Sequence, residues 1–301
     1  MKFSSEVPPY FSDTALIEYL SRRFTYLPSE DWRKHVMAGR VLVNDNFVSP
    51  DTPVCRGDRV TYKPLPFTEP AANLAYSIIY EDEWFVGVNK PPDLLVHRAG
   101  KAFTHNLVYQ LRTSSENLRE VTVVNRLDKD TSGIVLAAKT KDAAARIAGQ
   151  FAGQKVYKEY RALVYSSPET VPMTIDSPIG KEPSKTARPE YCIDTHGRRA
   201  VTAIVAAERV GAEHSMLTVV PRTGRTHQIR VHLQSIGCPI AGDRVYGPEH
   251  GQNIAAEINR QALHCAQIRF LHPGTKQVCI IQAPLADDIE KARAMCARNV
   301  R

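Results

Sequence analysis

The stretch VTVVNRLDKDTSGIVLAAKT, residues 121–140, holds the side chains best suited to chemistry. An apolar run leads into Asn125-Arg126-Leu127-Asp128, a polar turn closes on Gly133, and a second apolar run follows. A carboxylate at a strand end beside an arginine suits a nucleophile or base held ionised by its neighbour. Asp128, Asp130, Thr131, Ser132 and Gly133 are also ordinary turn residues, and taken alone the segment favours a plain turn. A second concentration is PRTGRTHQIRVHLQSIGCPIAGDRVYG, residues 221–247. A turn at 221–224 precedes a helix expected over 226–237, capped by Thr226, with Ile229, Leu233 and Ile236 on one face. Arg225 and His227 fall in its first turn, where free backbone amides attract anions. Arg222, Arg225 and Arg230 together therefore suit a phosphate or carboxylate, although a solvated basic surface would look the same. His227 and His232 do not share a helix face, which argues against a metal site. In KVYKEYRALV, residues 155–164, alternation puts Val156, Lys158 and Tyr160 on one face of a strand. A strand tyrosine ordinarily packs in a core.

The elements that must position these residues fall into two textures. In residues 12–63, Ser12 or Asp13 is placed to cap a helix carrying Leu16, Ile17 and Leu20. A second helix is expected over 29–38, stopped by Gly39. VLVNDNFV then reads as two short strands around a turn at Asn44-Asp45-Asn46, and RVTYK as another strand. Pro64, Pro66 and Pro70 mark residues 64–74 as a linker. Residues 75–301 are strand-rich, with strands expected in SIIYEDEWFVGVNK, VTVVNRL, GIVLAAK, KEYRALVY, AVTAIVAAERV, MLTVVP and QVCIIQAP. Helices fit 141–151, 226–237 and from 287 onward. Hairpin-length gaps predict an α+β fold with a mixed, mainly antiparallel sheet, preceded by a small α/β domain.

The bulk composition sets limits. The chain has 301 residues, 43% of them hydrophobic, enough for a buried core. Its 39 Lys+Arg against 32 Asp+Glu give a net charge of +7, and the pI is about 9.1, a moderate lean towards a polyanionic partner. Six scattered cysteines without paired spacing read as free thiols of a reducing compartment. The acidic, proline-containing N-terminus is unlike a signal peptide, and no apolar run is long enough to cross a membrane. A cytoplasmic monomer is expected.

NRLDKDTSG resembles the His-Arg-Leu-Asp-x-x-Thr-Ser-Gly signature of the RluA family of pseudouridine synthases. PRTGRTHQIRVHLQSIGCPIAGDRVYG is similar to its second hallmark, Thr-Gly-Arg-x-His-Gln-[Ile/Leu]-Arg followed by Gly-x-Pro-[Ile/Leu]-x-Gly-Asp. KEYRALV, FVGVNKPPDLLVHRAG and GRRAVTAIV resemble three further family segments, and the likeness runs in order across residues 76–301. Residues 12–63 resemble the S-four RNA-binding domain, its Gly-x-Val-x-Val-Asn appearing as residues 39–44 and its closing Gly-Asp as Gly57-Asp58. One departure is Asn125, which stands where the family has His and cannot titrate near neutrality.

The resemblance implies a cofactor-free, metal-free isomerisation of uridine in structured RNA, ribosomal or transfer. Asp128 is then the essential carboxylate, Arg225 its cationic partner, and Tyr160 the ring that stacks on a flipped uracil and assists the final deprotonation. Arg126 either fills the vacated stack or holds the flipped nucleotide's phosphate. Arg222, Arg230, His227 and Lys158, with Arg33, Lys34 and Arg40 of the first domain, are RNA-binding candidates, joined by Lys181, Lys185, Arg188, Arg198 and Arg199. Two other readings are weighed. An aspartyl-nucleophile hydrolase would need Thr where Ser132 stands. A non-catalytic RNA-binding protein would have no need of a buried carboxylate.

Overall fold

The computed structural model describes residues 2–66, 68–182, 190–248 and 258–298. Its contacts divide the chain into two units, residues 1–71 with 98–104, and residues 72–97 with 105–301. The return of 98–104 to the first unit is invisible to a linear reading of domain boundaries.

The first unit comprises β1 (Phe3–Glu6), β2 (Thr14–Ala15), α1 (Leu16–Arg23), α2 (Ser29–Met37), β3 (Val41–Val43), β4 (Asn46–Phe47), β5 (Pro53–Val54) and β6 (Arg59–Tyr62). Four strands form a sheet in the order β1-β6-β3-β4. Helix α1 begins later than Ser12 or Asp13 would dictate and has no side-chain cap. The carbonyls of Thr52 and Pro50 instead accept the amides of Leu16 and Ile17, at 2.8 and 2.9 Å. Asn44 and Asp45 both take positive φ, 50° and 64°, as a two-residue hairpin turn requires. Trp32, Tyr19, Leu16, Leu20 and Val41 fill the core, and Arg98 lies over the ring of Phe103, 4.0 Å from its centroid.

The second unit runs β7 (Ser77–Glu81), β8 (Phe85–Lys90), α3 (Leu107–Ser114), β9 (Thr122–Val123), β10 (Ser132–Ala138), α4 (Lys141–Ala152) and β11 (Tyr157–Tyr165). It continues with β12 (Met173–Asp176), β13 (Ile179–Lys181), β14 (Tyr191–Ile193), β15 (Val201–Val210), β16 (His214–Pro221), α5 (Gln228–Ser235), β17 (Leu263–Leu271), β18 (Val278–Gln282) and α6 (Asp287–Arg298). Ten strands make one sheet, β12-β15-β16-β11-β17-β10-β8-β7, with β18 added on β17 and β9 on β10. All its pairings are antiparallel except β10 with β17, so the expected mixed, mainly antiparallel sheet is what forms.

Strand β10 is apolar almost throughout because both its faces are covered. Gly133 on it is obligatory. Its φ is +109°, and a Cβ there would lie 2.2 Å from the carbonyl oxygen of Cys265 on β17. Thr140 caps α4 by accepting from the amide of Ala143. Two expectations shorten. VTVVNRL is strand only at Thr122–Val123, and the helix expected over 226–237 is Gln228–Ser235, with no cap from Thr226. All six cysteines are free. Among the described residues no helix is long and apolar enough to cross a membrane. Nor does any group of three or more His, Cys, Asp or Glu side chains there form a metal site.

Candidate active site

Asp128 lies in the turn between β9 and β10, and two buried cations hold that turn by its carbonyls. The Lys90 ammonium donates to the carbonyls of Lys129, Leu94 and Pro91 at 2.9, 2.9 and 2.8 Å. Burial pushes the Lys90 pKa down to about 7, yet three facing carbonyls match the three N–H groups of the charged form. Arg260 donates to the carbonyl of Asp130 and to Ser132 Oγ, and its Nε and Nη2 each bond Asp288 at 2.7 Å. Ser132 Oγ meets His264 Nδ1 at 2.9 Å, and Gln261 reaches Thr131. Upstream, Asn125 stands in for a peptide group. Its Nδ2 donates to the Ile134 carbonyl, and its Oδ1 accepts the Leu136 amide at 2.7 Å, so the ladder on β10 continues through a side chain. A backbone-like amide does this at any ordinary pH, which accounts for Asn at this position.

The cation beside the Asp128 carboxylate is Arg230, with Nη1 3.4 Å from Oδ2. Arg225, expected in that role, donates its Nε to the Arg199 carbonyl instead. The reason is helical geometry. Arg225 precedes α5 in a turn, whereas Arg230 sits in the first turn of the helix among its buried residues. Arg230 is correspondingly 6% exposed, which also removes it from the surface phosphate contacts. It is gripped by Asp243 through two bonds of 2.6 and 2.8 Å, a bidentate pair. Burial works to raise the Asp243 carboxyl, but Arg230 and the amides of Val245 and Tyr246 outweigh it and leave the carboxyl below its ordinary value. Both close contacts of Asp128 fall on Oδ2, since His227 Nε2 lies 3.9 Å from the same atom. Among the described residues Oδ1 receives no side-chain hydrogen bond.

Asp128, Tyr160, Lys158, Arg126, Arg222, Arg225, His227 and Arg230 all line one cavity of about 640 Å³, with Leu127, Phe151, Gln154 and Thr223. Tyr160 and Lys158 reach it together from β11, whose pairing with β17 shifts register between Glu159 and Tyr160. Burial pushes the Tyr160 phenol well above its ordinary value, with Cys265 and Asp128 adding to the effect. Burial likewise lowers the Lys158 ammonium. The 221–228 turn is closed by Gln228, whose Oε1 accepts from the Arg225 amide and Thr223 Oγ1 while Nε2 donates to Val201 and Thr202.

Outside the cavity, Lys181, Arg198 and Arg199 are exposed, and Arg199 pairs with Asp176 at 3.1 Å. Lys185 and Arg188 lie outside the described residues. In the first unit Arg33 pairs with Asp51, Lys34 with Glu30 and Asp31, and Arg40 is half-buried. Sequence reading missed Lys90, Asp243, Gln228 and Arg260 as organisers. Asp243 sits in the Gly-Asp step already noted. Lys90 ends an apolar strand against two prolines, an unusual place for a charge.

Residues 85–235 match the family described as RNA pseudouridylate synthase. The chain is 33% identical over 281 residues to "Uncharacterized RNA pseudouridine synthase YlyB" of Bacillus subtilis (strain 168), covering 89% of this chain and 90% of that protein. It is 32% identical over 278 residues to "Ribosomal large subunit pseudouridine synthase C" of Escherichia coli (strain K12), covering 87% and 85%. "Ribosomal large subunit pseudouridine synthase D" of Vibrio cholerae serotype O1 is 32% identical over 291 residues, covering 91% and 88%. Among solved structures, "Human RNA Pseudouridylate Synthase Domain Containing 1" superposes with a TM-score of 0.59 at 28% identity, covering 72% of this chain and 86% of the human one.

Proposed function

The chain belongs to the RNA pseudouridylate synthase family, and from that premise we propose that it modifies uridines of ribosomal RNA with Asp128 as the essential carboxylate. It is an isomerase that converts uridine to pseudouridine in RNA. The target follows the names of relatives in Vibrio cholerae and Escherichia coli, which are ribosomal large subunit enzymes.

The observation that carries the role of Asp128 is its carboxylate on the wall of the cavity, with Oδ2 beside buried Arg230 and Tyr160 nearby. The reaction breaks the N-glycosidic bond, turns the uracil, and joins carbon 5 to carbon 1′. It is redox-neutral and transfers no group, so the chemistry asks for no cofactor. Oδ1, the oxygen left without a side-chain donor, is the atom that attacks the nucleoside or removes its proton. Arg230 holds the carboxylate turned through its contact with Oδ2. Tyr160 offers the face of its ring to the base. Burial favours its neutral phenol, a weak base for the proton on carbon 5. Lys158, whose ammonium is disfavoured by burial, is better suited to take it.

A uracil stacked in a helix has to be flipped out to reach this cavity, at a cost of a few kcal/mol. Exposed Arg126, two residues from Asp128, fills the gap left behind. Arg222 and Arg225 meet phosphates at the cavity. The first unit acts as the RNA-binding module, with Arg33 and Lys34 exchanging weak exposed ion pairs for phosphate and half-buried Arg40 adding a further contact.

The test is tritium release from RNA labelled at uridine carbon 5, with pseudouridines mapped in total RNA from cells with and without the protein. Wild type is expected to release tritium from ribosomal RNA, and Asp128→Ala to release none. Persistent release from the variant would sink the assignment of Asp128, and modification confined to transfer RNA would move the target.

A further inference from the structure

His227 sits edge-on between the rings of Tyr191 and Tyr246, with centroids 5.5 and 5.6 Å away. Its backbone is left-handed, φ 56°, at the start of α5, a conformation that few residues other than glycine take and that recurs where geometry serves function. The two ring nitrogens face different partners. Nδ1 lies 3.0 Å from the Tyr246 hydroxyl, and Nε2 lies 3.9 Å from Oδ2 of Asp128.

The same Tyr246 hydroxyl accepts the backbone N–H of Tyr191 at 2.9 Å. A hydroxyl carries one proton and two lone pairs, and a backbone N–H can only donate. The Tyr191 amide occupies one lone pair, and among the described residues Nδ1 is the one acceptor within reach of the phenolic proton, which is therefore directed at it. At the far side a carboxylate oxygen can only accept. Both ends make the same demand on the imidazole, a lone pair on Nδ1 and the proton on Nε2.

We propose that Tyr246 is a positioning residue that holds His227 as its Nε2–H tautomer, so that the imidazole presents a second donor, beside Arg230, to Oδ2 of Asp128. The proposal rests on the reading of Asp128 as the reacting carboxylate, and says how Oδ2 is kept occupied so that Oδ1 reacts. In the opposite tautomer the Nε2 lone pair faces the carboxylate and repels it. Tyr246 is well placed for the task. Its ring lies against the Arg230 guanidinium, 4.9 Å from centroid to carbon, and its amide bonds Asp243 Oδ1. The loop that clamps Arg230 thus also sets the histidine.

Burial opposes protonation of His227, Asp128 and Asp243 favour it, and Arg230 opposes it; all of these persist when only the hydroxyl is removed. Protonation must place a proton on Nδ1, where the Tyr246 hydroxyl already donates. Losing the hydroxyl therefore makes the imidazole easier to protonate.

The experiment is nitrogen-15 NMR of the full chain labelled at histidine, with the His227 signals identified by their loss in His227→Asn. Wild type at neutral pH is expected to show Nδ1 bare and Nε2 protonated. Tyr246→Phe is expected to give a tautomer mixture, to raise the pH at which His227 titrates, and to lower kcat about tenfold with KM little changed, roughly the worth of one positioned hydrogen bond. A purely structural role for Tyr246 would leave the tautomer and the titration where they are. A wild-type Nδ1–H tautomer, an unaltered spectrum in Tyr246→Phe, or an unaltered kcat overturns the proposal. A protein that isomerises no uridine in any cellular RNA overturns the underlying reading of Asp128, and does so without moving the nitrogen shifts, so the two failures are separable.

Discussion

Arg230 is bound by two carboxylates at once, Asp243 through bonds of 2.6 and 2.8 Å and Asp128 at 3.4 Å. The shorter pair fixes the guanidinium, and the longer one is what it offers to the carboxylate proposed to react. Asp243→Asn keeps the shape but removes the charge and one acceptor. The expected result is a kcat lowered about 10²-fold, with RNA affinity changed less than threefold, because the loss is one of orientation at Asp128. Arg230→Ala should instead lower stability by about 3–5 kcal/mol, since it strands the buried Asp243 carboxylate. Urea titrations alongside single-turnover kinetics distinguish the two.

Lys90 holds the backbone of the turn that carries Asp128. Lys90→Met fits the space but leaves the carbonyls of Pro91, Leu94 and Lys129 without their donor. A loss of about 2–4 kcal/mol is expected from unpaired buried acceptors, together with reduced kcat, because Lys129 adjoins Asp128. A variant as stable as wild type in urea would show that the ammonium holds nothing.

Gly133→Ala should cost more than an ordinary glycine replacement. The residue combines φ +109° with a Cβ position 2.2 Å from the Cys265 carbonyl, so β10 and β17 have to separate. A fall of at least about 3 kcal/mol, or failure to fold, is expected by chemical denaturation. A change under ~1 kcal/mol would contradict the closeness of these strands.

His264 sets an acid limit on stability. Burial pushes its imidazole pKa down to about 4, with Arg260 contributing, against an ordinary 6.5. Between those values the unfolded chain holds a proton that the folded one refuses, so stability rises with pH. As the pH falls from 6.5 to 4, about 3 kcal/mol should be lost through this group. His264→Gln should be less stable than wild type at pH 7, where Ser132 loses one of its two partners, and the gap should narrow or reverse by pH 4.5. Urea midpoints at the two pH values check this.

RNA affinity should fall steeply with salt, as counterions are released from each contacted phosphate. Arg222→Ala should weaken binding at every sequence about equally and reduce the salt slope by about one. Affinity indifferent to salt would remove the phosphate contacts from the account.

The fold class was legible in the chain because it rests on local signals, whereas the candidate site was legible only through family resemblance, since the residues around Asp128 taken alone read as a plain turn. A short apolar run such as 134–138 bounded by Gly133 reads as a buried strand, Asn44-Asp45 reads as a turn, and the NRLDKDTSG and TGRTHQIR segments carry their polar side chains at fixed spacing. Strand β17 escaped notice because LHCAQIRFL has no turn residue before it and alternates only in its second half, although Pro273-Gly274 follows it and it is central to the sheet. The segment 98–104 escaped for another reason, since contacts that skip along the chain leave no local trace.

By itself, then, the sequence determined which side chains gather at the cavity: Asp128, Tyr160, Lys158, Arg126, Arg222, Arg225, His227 and Arg230 all arrive there. Only the tertiary structure decided how they divide the work. Arg225 and Arg230 are both arginines of one motif, and nothing in their spacing says which meets Asp128. That choice belongs to Asp243, thirteen residues further on, which fixes one guanidinium in the buried wall and leaves the other to a backbone carbonyl near the surface. A pair of charges becomes a site when a third group, brought from elsewhere in the chain, removes their freedom to point away.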